Sequence, residues 1–533
     1  MSPDTSPPDG FTAEYLRVKA LAERGVANAQ HRLGFMYVNG QGVAKNEELA
    51  LLWYRRAAAA GVEQAQYNLG VMYQKGQGVD CDFAEAAHWY REAAEQGYAA
   101  AQYNLGWMYA KGQGVAQDPH MAMHWFSRAA EQGDPGAQNN LGMMYETGKG
   151  VPQDLDLALS WYRRAAGQGY ARAQYNLALR YDSGQGVPRD QDEAVAWFHK
   201  AAAQGYAPAQ FSLGLKYDKG QGVEQDSRSA IDWYRRAAEQ GHASSQFNLG
   251  LIYESGHGTN CDEQEALRWF AKAAAQGHAG AQDIMGMRHE HGQGVAQDYV
   301  RAADWYRKSA EQGSASAQYH LCQLYAAGLG VPLDAQLAQE WCEKAASQGH
   351  LRAQFDMGLR CEHGNGVKRD PRAALAWFLR AAEQDYAPAQ FMAARLFDDP
   401  DVQVPDAAQA LHWYRKAAEH GHPQAEFALG LRFDNGHGVP RDYEAAHFWY
   451  LRAARQGHAR AQFNLGVMHS CGHGAQLDLM QACGWLLQAS QNGYEAARAQ
   501  LRRLQARLNP AQLDTLHRFT ANDASGQHTA IAA

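Results

Sequence analysis

The sequence predicts an all-α solenoid of thirteen 36-residue helix-turn-helix repeats, and three observations predict it. Trp53, Trp89, Trp125, Trp161, Trp197, Trp233, Trp269, Trp305, Trp341, Trp377, Trp413, Trp449 and Trp485 are each 36 residues apart, and only Trp107 lies outside this register. An alanine stands three residues before every one of the thirteen, from Ala50 to Ala482. Glycine keeps the same step from Gly25, Gly61 and Gly97 to Gly493, with Asp385 as its one exception. Self-similarity at such a period is the mark of a stacked array, because one short unit cannot bury its apolar face alone.

In chain order, residues 1–10 form a polar, proline-rich start that is expected to be disordered. Residues 11–25 read as a lone capping helix with Arg17 at the tryptophan register. The array itself covers residues 26–493, without an insertion. Its unit is clearest from Tyr98 to Gly133: A-A-A-Q-Y-N-L-G-W-M-Y-A-K, then G-Q-G-V, then Asp118, then M-A-M-H-W-F-S-R-A-A-E-Q-G. Asp118 and its equivalents Asp82, Asp154, Asp190 and Asp226 precede the second helix, where a carboxylate accepts hydrogen bonds from free backbone N–H groups and meets the positive dipole end. The first repeat uses Asn46 instead. The glycine after E-Q takes the left-handed conformation that ends a helix, with the next Tyr or His as its apolar clasp. Around the first helix, Ala101, Gln102, Leu105, Gly106 and Tyr109 fall within one arc of about 140°, which marks the buried seam. Residues 494–519 supply C-terminal capping helices, the second opened by Asn509 and Pro510, and residues 520–533 are expected to be disordered.

Composition narrows the function. No run of eighteen apolar residues occurs, which predicts a soluble chain without membrane insertion. Forty-nine basic against 57 acidic side chains leave a formal charge of -8, the wrong sign for tracking phosphates, so nucleic acid is not an expected partner. Seven cysteines, at 81, 261, 322, 342, 361, 471 and 483, show no CxxC pair or regular spacing. Together with a start that lacks the apolar core of a secretion signal, they point to the cytoplasm.

The pattern A-x-A-Q-Y-N-L-G-x-M-Y-x-x-G-Q-G-V-x-x-D, followed by A-x-x-W-Y-x-x-A-A-x-Q-G, resembles the Sel-one-like repeat (SLR) family, a relative of the tetratricopeptide repeats. The resemblance covers roughly residues 26–493. It implies a right-handed alpha-alpha superhelix whose first helices line a concave face, and a role as an adaptor that assembles protein complexes. Some secreted, cysteine-rich members carry a disulfide in each repeat and have been linked to beta-lactam binding; this chain does not have that cysteine pattern, and a leader is not expected from its first residues.

Binding is expected at positions that vary between repeats. One row on the first helices is mostly amide: Asn68, Asn104, Asn140, Asn176, Ser212 and Asn248, side chains that donate to and accept from an extended peptide backbone. The competing reading gives these amides to the adjacent helix, for register alone. A second row is acidic, Glu146, Asp182, Asp218 and Glu254, continuing through Glu290, Glu362, Asp398 and Asp434 at a helix end where negative charge is unfavourable. It reads either as a surface for a basic partner or as a row neutralised between repeats by Arg180, Lys216, Arg288, Arg360 and Arg432.

Chemistry is not indicated. His242, His278, His350, His422 and His458 exchange with Tyr98, Tyr170 and Tyr206 at the turn, which favours packing over metal binding. His289 and His291 are too close for a two-histidine zinc helix and read as surface or loop residues. Glycine pairs such as Gly112 and Gly114 follow a helix and lack a G-K-S/T ending, so they are turns rather than phosphate loops. No catalytic motif, cofactor fingerprint or metal set is present. The expected function is a non-catalytic scaffold for other proteins or peptides. Glycan or peptidoglycan-like binding is the alternative if the chain is exported, and hydrolysis a remote one. Repeat eleven departs most, with Asp385, Ala393, Ala394, Pro400 and Val402 at pattern positions, and is the expected soft joint.

Overall fold

The computed structural model describes residues 12–402 and 406–523. Among them the chain folds into twenty-nine α-helices and one short 3-10 turn, with no strand, as an all-α solenoid of helix pairs. In the third repeat the first helix runs Ala99–Lys111 and the second Pro119–Glu131. Asp118 is the cap expected of it: one carboxylate oxygen accepts from the backbone N–H of His120 at 2.9 Å and of Met121 at 3.1 Å. Its own N–H donates to the Tyr109 carbonyl at 3.0 Å, which closes the inter-helix loop. Gly112 ends the first helix at φ 69°. At the end of the preceding second helix the Tyr98 N–H reaches back to Ala93 O at 3.0 Å, the six-to-one bond of a Schellman stop.

Small residues set how closely the helices approach. A Cβ on Gly106 would lie 2.8 Å from the Phe126 ring, so the second helix's aromatic fills the space that glycine leaves on the first. Ala101, Leu105, Met108, Ala122 and Ala129 are fully buried around that contact. Met108 falls outside the arc drawn from the sequence, whereas Tyr109 is only half-buried because its hydroxyl reaches out to Arg91 at 3.2 Å.

The described residues form two compact units, one ending at Ala273 and the other beginning at Ala274, within the helix Glu263–Ala275. The first unit opens with the helix Ala13–Glu23, whose Tyr15, Val18 and Ala22 are buried. The second closes with Glu495–Gln505 and Pro510–Asp523, where Leu501, Leu504, Leu508 and Leu516 pack with Leu486. The last helix thus runs beyond residue 519 to Asp523. Residues 1–10 and 524–533, read from the sequence as disordered, lie outside the described residues.

Repeat eleven keeps its stop without glycine. Asp385 adopts φ 62°, the one positive φ at a non-glycine residue among those described, and aspartate tolerates that region better than most side chains. Its first helix ends at Asp398, Pro400–Val402 forms the 3-10 turn, and the second helix restarts at Ala407 behind the Asp406 cap.

Candidate interaction surface

A buried amide ladder joins the repeats. Gln102 Nε2 donates to Ala94 O at 3.0 Å, and its Oε1 accepts from Gln132 Nε2 at 2.7 Å. The same two bonds recur at Gln138, Gln174 and Gln210 in the first unit and at Gln282, Gln318 and Gln354 in the second. Each glutamine therefore ties its own helix to the second helices before and after it, and its burial costs little because both ends are satisfied. Glu426 is the one ladder position in carboxylate form. It accepts from Gln456 at 2.7 Å and pairs with Arg452 Nε at 2.8 Å, while Arg452 Nη2 supplies the donor to Ala418 O at 3.1 Å that a glutamine would have given.

The asparagine row is half-buried and engaged. Asn176 Nδ2 donates to Asn139 Oδ1 at 2.9 Å, and Asn68 lies 3.0 Å from His31 Nε2, each across to the preceding first helix. Asn68, Asn104 and Asn248 also stand beside the hydroxyls of Tyr54, Tyr90 and Tyr234. Burial holds those hydroxyls well above the usual tyrosine range, and the amides pull the other way. Asn140 meets Tyr103 in the same manner. Ser212 occupies the equivalent half-buried place. These contacts use only part of each amide's hydrogen-bonding capacity.

The acidic row is clasped by the following repeat. Arg180 Nη1 meets Glu146 at 2.8 Å, Lys216 pairs with Asp182, and Arg432 pairs with Asp398. Arg395 takes Glu362, and His257 Nε2 stands 3.8 Å from Asp218. Tyrosine hydroxyls add Tyr162 to Glu146 and Tyr306 to Glu290, both at 2.6 Å. Glu254 likewise has an interaction of its own. Cations on the first helix of the following repeat thus offset negative charge at a helix C-terminus.

A third row went unread in the sequence. One turn after the register of the asparagine row, Phe35, Val71, Trp107, Met143, Leu179, Leu215 and Leu251 follow one another through the seven first helices of the first unit. None is fully buried, and Phe35, Met143 and Leu251 are exposed. Trp107, the tryptophan outside the register, belongs to this row. The signal lay in the variable position of L-G-x-M, which holds an apolar residue each time. In the second unit Gln323 and Arg395 interrupt the same row.

On most second helices a Lys or Arg stands three residues after the tryptophan and covers its ring, with Lys200 3.6 Å from the Trp197 centroid and Arg236 4.5 Å from that of Trp233, whereas Trp89 and Trp485 are followed there by Glu92 and Gln488. The turn histidines cap as well as pack. Nδ1 of His242, His278, His350 and His458 accepts the backbone N–H three residues on, each at 3.2 Å. His289 is buried rather than on the surface, because it stands at the register of the buried Tyr37 and Tyr73, at the end of its first helix. No helix among the described residues is long and apolar enough to cross a membrane.

Known proteins match this architecture. The family model described as "Sel1 repeat" matches thirteen times in succession, from residues 27–62 to 459–494. A protective antigen of uropathogenic Escherichia coli, solved as an SLR fold, is similar at 30% identity over 98% of this chain and 99% of its own, with a TM-score of 0.50. A Sel1 repeat protein from Oxalobacter formigenes is 34% identical over 66% of this chain and 96% of its own, with a TM-score of 0.43. No curated protein matches the chain.

Proposed function

Because the chain belongs to the Sel1 repeat family, whose members are in general protein-interaction scaffolds, we propose that it is a non-catalytic adaptor binding partner proteins or peptides on its first helices. One observation carries this reading: seven successive apolar side chains, from Phe35 to Leu251, stand partly open to solvent beside the row of amides. Partly exposed apolar side chains at one register of successive repeats are a surface on which a partner can bury apolar groups. An extended peptide would set apolar side chains on the one row and share backbone hydrogen bonds with Asn68, Asn104, Asn140, Asn176, Ser212 and Asn248 on the other. The acidic row, Glu146, Asp182, Asp218 and Glu254, is assigned to cohesion between repeats. A cytoplasmic setting belongs to the same proposal and rests on the irregular cysteine spacing.

The test compares partners captured from the source cell by the wild-type chain, by Trp107→Ser with Met143→Ser, and by Asn104→Ala with Asn140→Ala. Arg236→Ser, on a second helix, is the control. Partners kept by the control and lost by the first pair support the apolar row. An identical set from every variant refutes it.

A further inference from the structure

Two positions before the register tryptophan, most repeats carry an apolar residue, such as Leu159, Val195, Ile231 or Leu411. Twenty-two residues later, on the next first helix, stands an aromatic, such as Tyr181, Tyr217, Tyr253 or Phe433. The two meet between repeats, and an apolar contact meets every packing need there. Once in the array both members are histidine, His447 and His469. Their Nε2 atoms face each other at 3.3 Å, with the rings edge to face at 5.2 Å and 82°. His469 is buried, at 7% exposure, and its Nδ1 lies 3.4 Å from the Gln476 carbonyl oxygen. A carbonyl accepts and cannot donate, so this contact keeps the ring proton on Nδ1 and turns the Nε2 lone pair toward His447. His447 is half-buried on the helix Tyr443–Arg455 and leaves a side open to solvent.

We propose that His447 and His469 form a chelating pair for a divalent transition metal of the zinc type. Neutral imidazole nitrogen suits such ions. At a zinc–nitrogen distance of about 2.05 Å, two nitrogens 3.3 Å apart subtend about 107° at the ion, close to the tetrahedral angle. No group of three or more ligating side chains is present among the described residues, so the site is an open one, with water or an exogenous ligand completing the sphere. The bound ion joins the second helix of repeat twelve to the first helix of repeat thirteen, Ala459–Cys471, and stabilises that junction by mass action.

The experiment uses the full chain without a histidine tag. Zinc uptake is measured by calorimetric titration for the wild type, His447→Leu and His469→Tyr, which install the residue types other repeats carry. Cobalt(II) replaces zinc in a parallel optical titration. The expected result is one zinc equivalent in the wild type, weakened at least tenfold in either variant, and a tetrahedral cobalt spectrum lost in both. Zinc should also slow amide exchange across residues 443–471 of the wild-type chain, a readout that needs no variant to fold. Equal uptake by all three chains, or no zinc-dependent protection of that segment, overturns the proposal and leaves the pair as an N–H···N contact.

Discussion

Glu426→Gln should stabilise repeat twelve at neutral pH. The wild-type carboxylate is fully buried at a position where the other repeats place a neutral amide. Substitution removes the cost of burying that charge and restores a donor to Ala418 O, the bond now made by Arg452 at 3.1 Å. It also breaks the pair with Arg452, whose side chain is 36% exposed and is released to solvent and to the face of Trp449. Ala418 O has one donor before and after, so the gain comes from exchanging a buried ion pair for a satisfied neutral contact, which is favourable by about 1–2 kcal/mol. That gain corresponds to roughly 5- to 30-fold slower amide exchange by local opening across residues 423–458. Burial raises the Glu426 carboxyl above its ordinary 4.5, against the opposing pull of Arg452 and Gln456. An acid whose pKa rises on folding favours the folded state below its unfolded value, and that contribution is lost as pH climbs through the raised one. The advantage of glutamine should therefore be full above the raised pKa and fade as pH falls toward 4.5. Faster exchange in Glu426→Gln at pH 7 would refute the reasoning, since the ion pair would then outweigh the desolvation of its carboxylate.

Two further outcomes are expected. Gly114→Ala should cost about 2–4 kcal/mol by thermal unfolding or exchange, because the new Cβ would lie 2.0 Å from Phe83 O on the preceding repeat at φ 69°. Gly133→Ala, at φ 94° with nothing within 4 Å, should cost only about 1 kcal/mol, and equal effects would show that the inter-repeat contact is unimportant. Exchange should be fastest near the short helix Ala387–Asp398 and its irregular turn, marking repeat eleven as the soft joint; uniform protection across residues 380–425 and their neighbours would dismiss that assignment.

The sequence by itself determined the helices, their caps and their count, because those depend on residues close along the chain. Asp118 caps a helix by bonding to N–H groups two and three residues away, and Gly112 ends one through its own φ. Thirteen copies of each such signal leave no ambiguity about the unit. The seam was legible in the same way through Ala101, Leu105 and Gly106, with Met108 and Tyr109 exchanged at its edge. What only the tertiary structure decided was the pairing between repeats: Asn139 with Asn176, Glu146 with Arg180, His447 with His469. Those partners are 37, 34 and 22 residues apart, and no local periodicity selects these offsets. They follow from the stagger and rotation of one helix pair on the next, which is set by contacts between repeats such as Gln102 with Ala94 and Gly114 against Phe83. The acidic row therefore became a set of clasps, and the open apolar row came into view, only once that stacking was known.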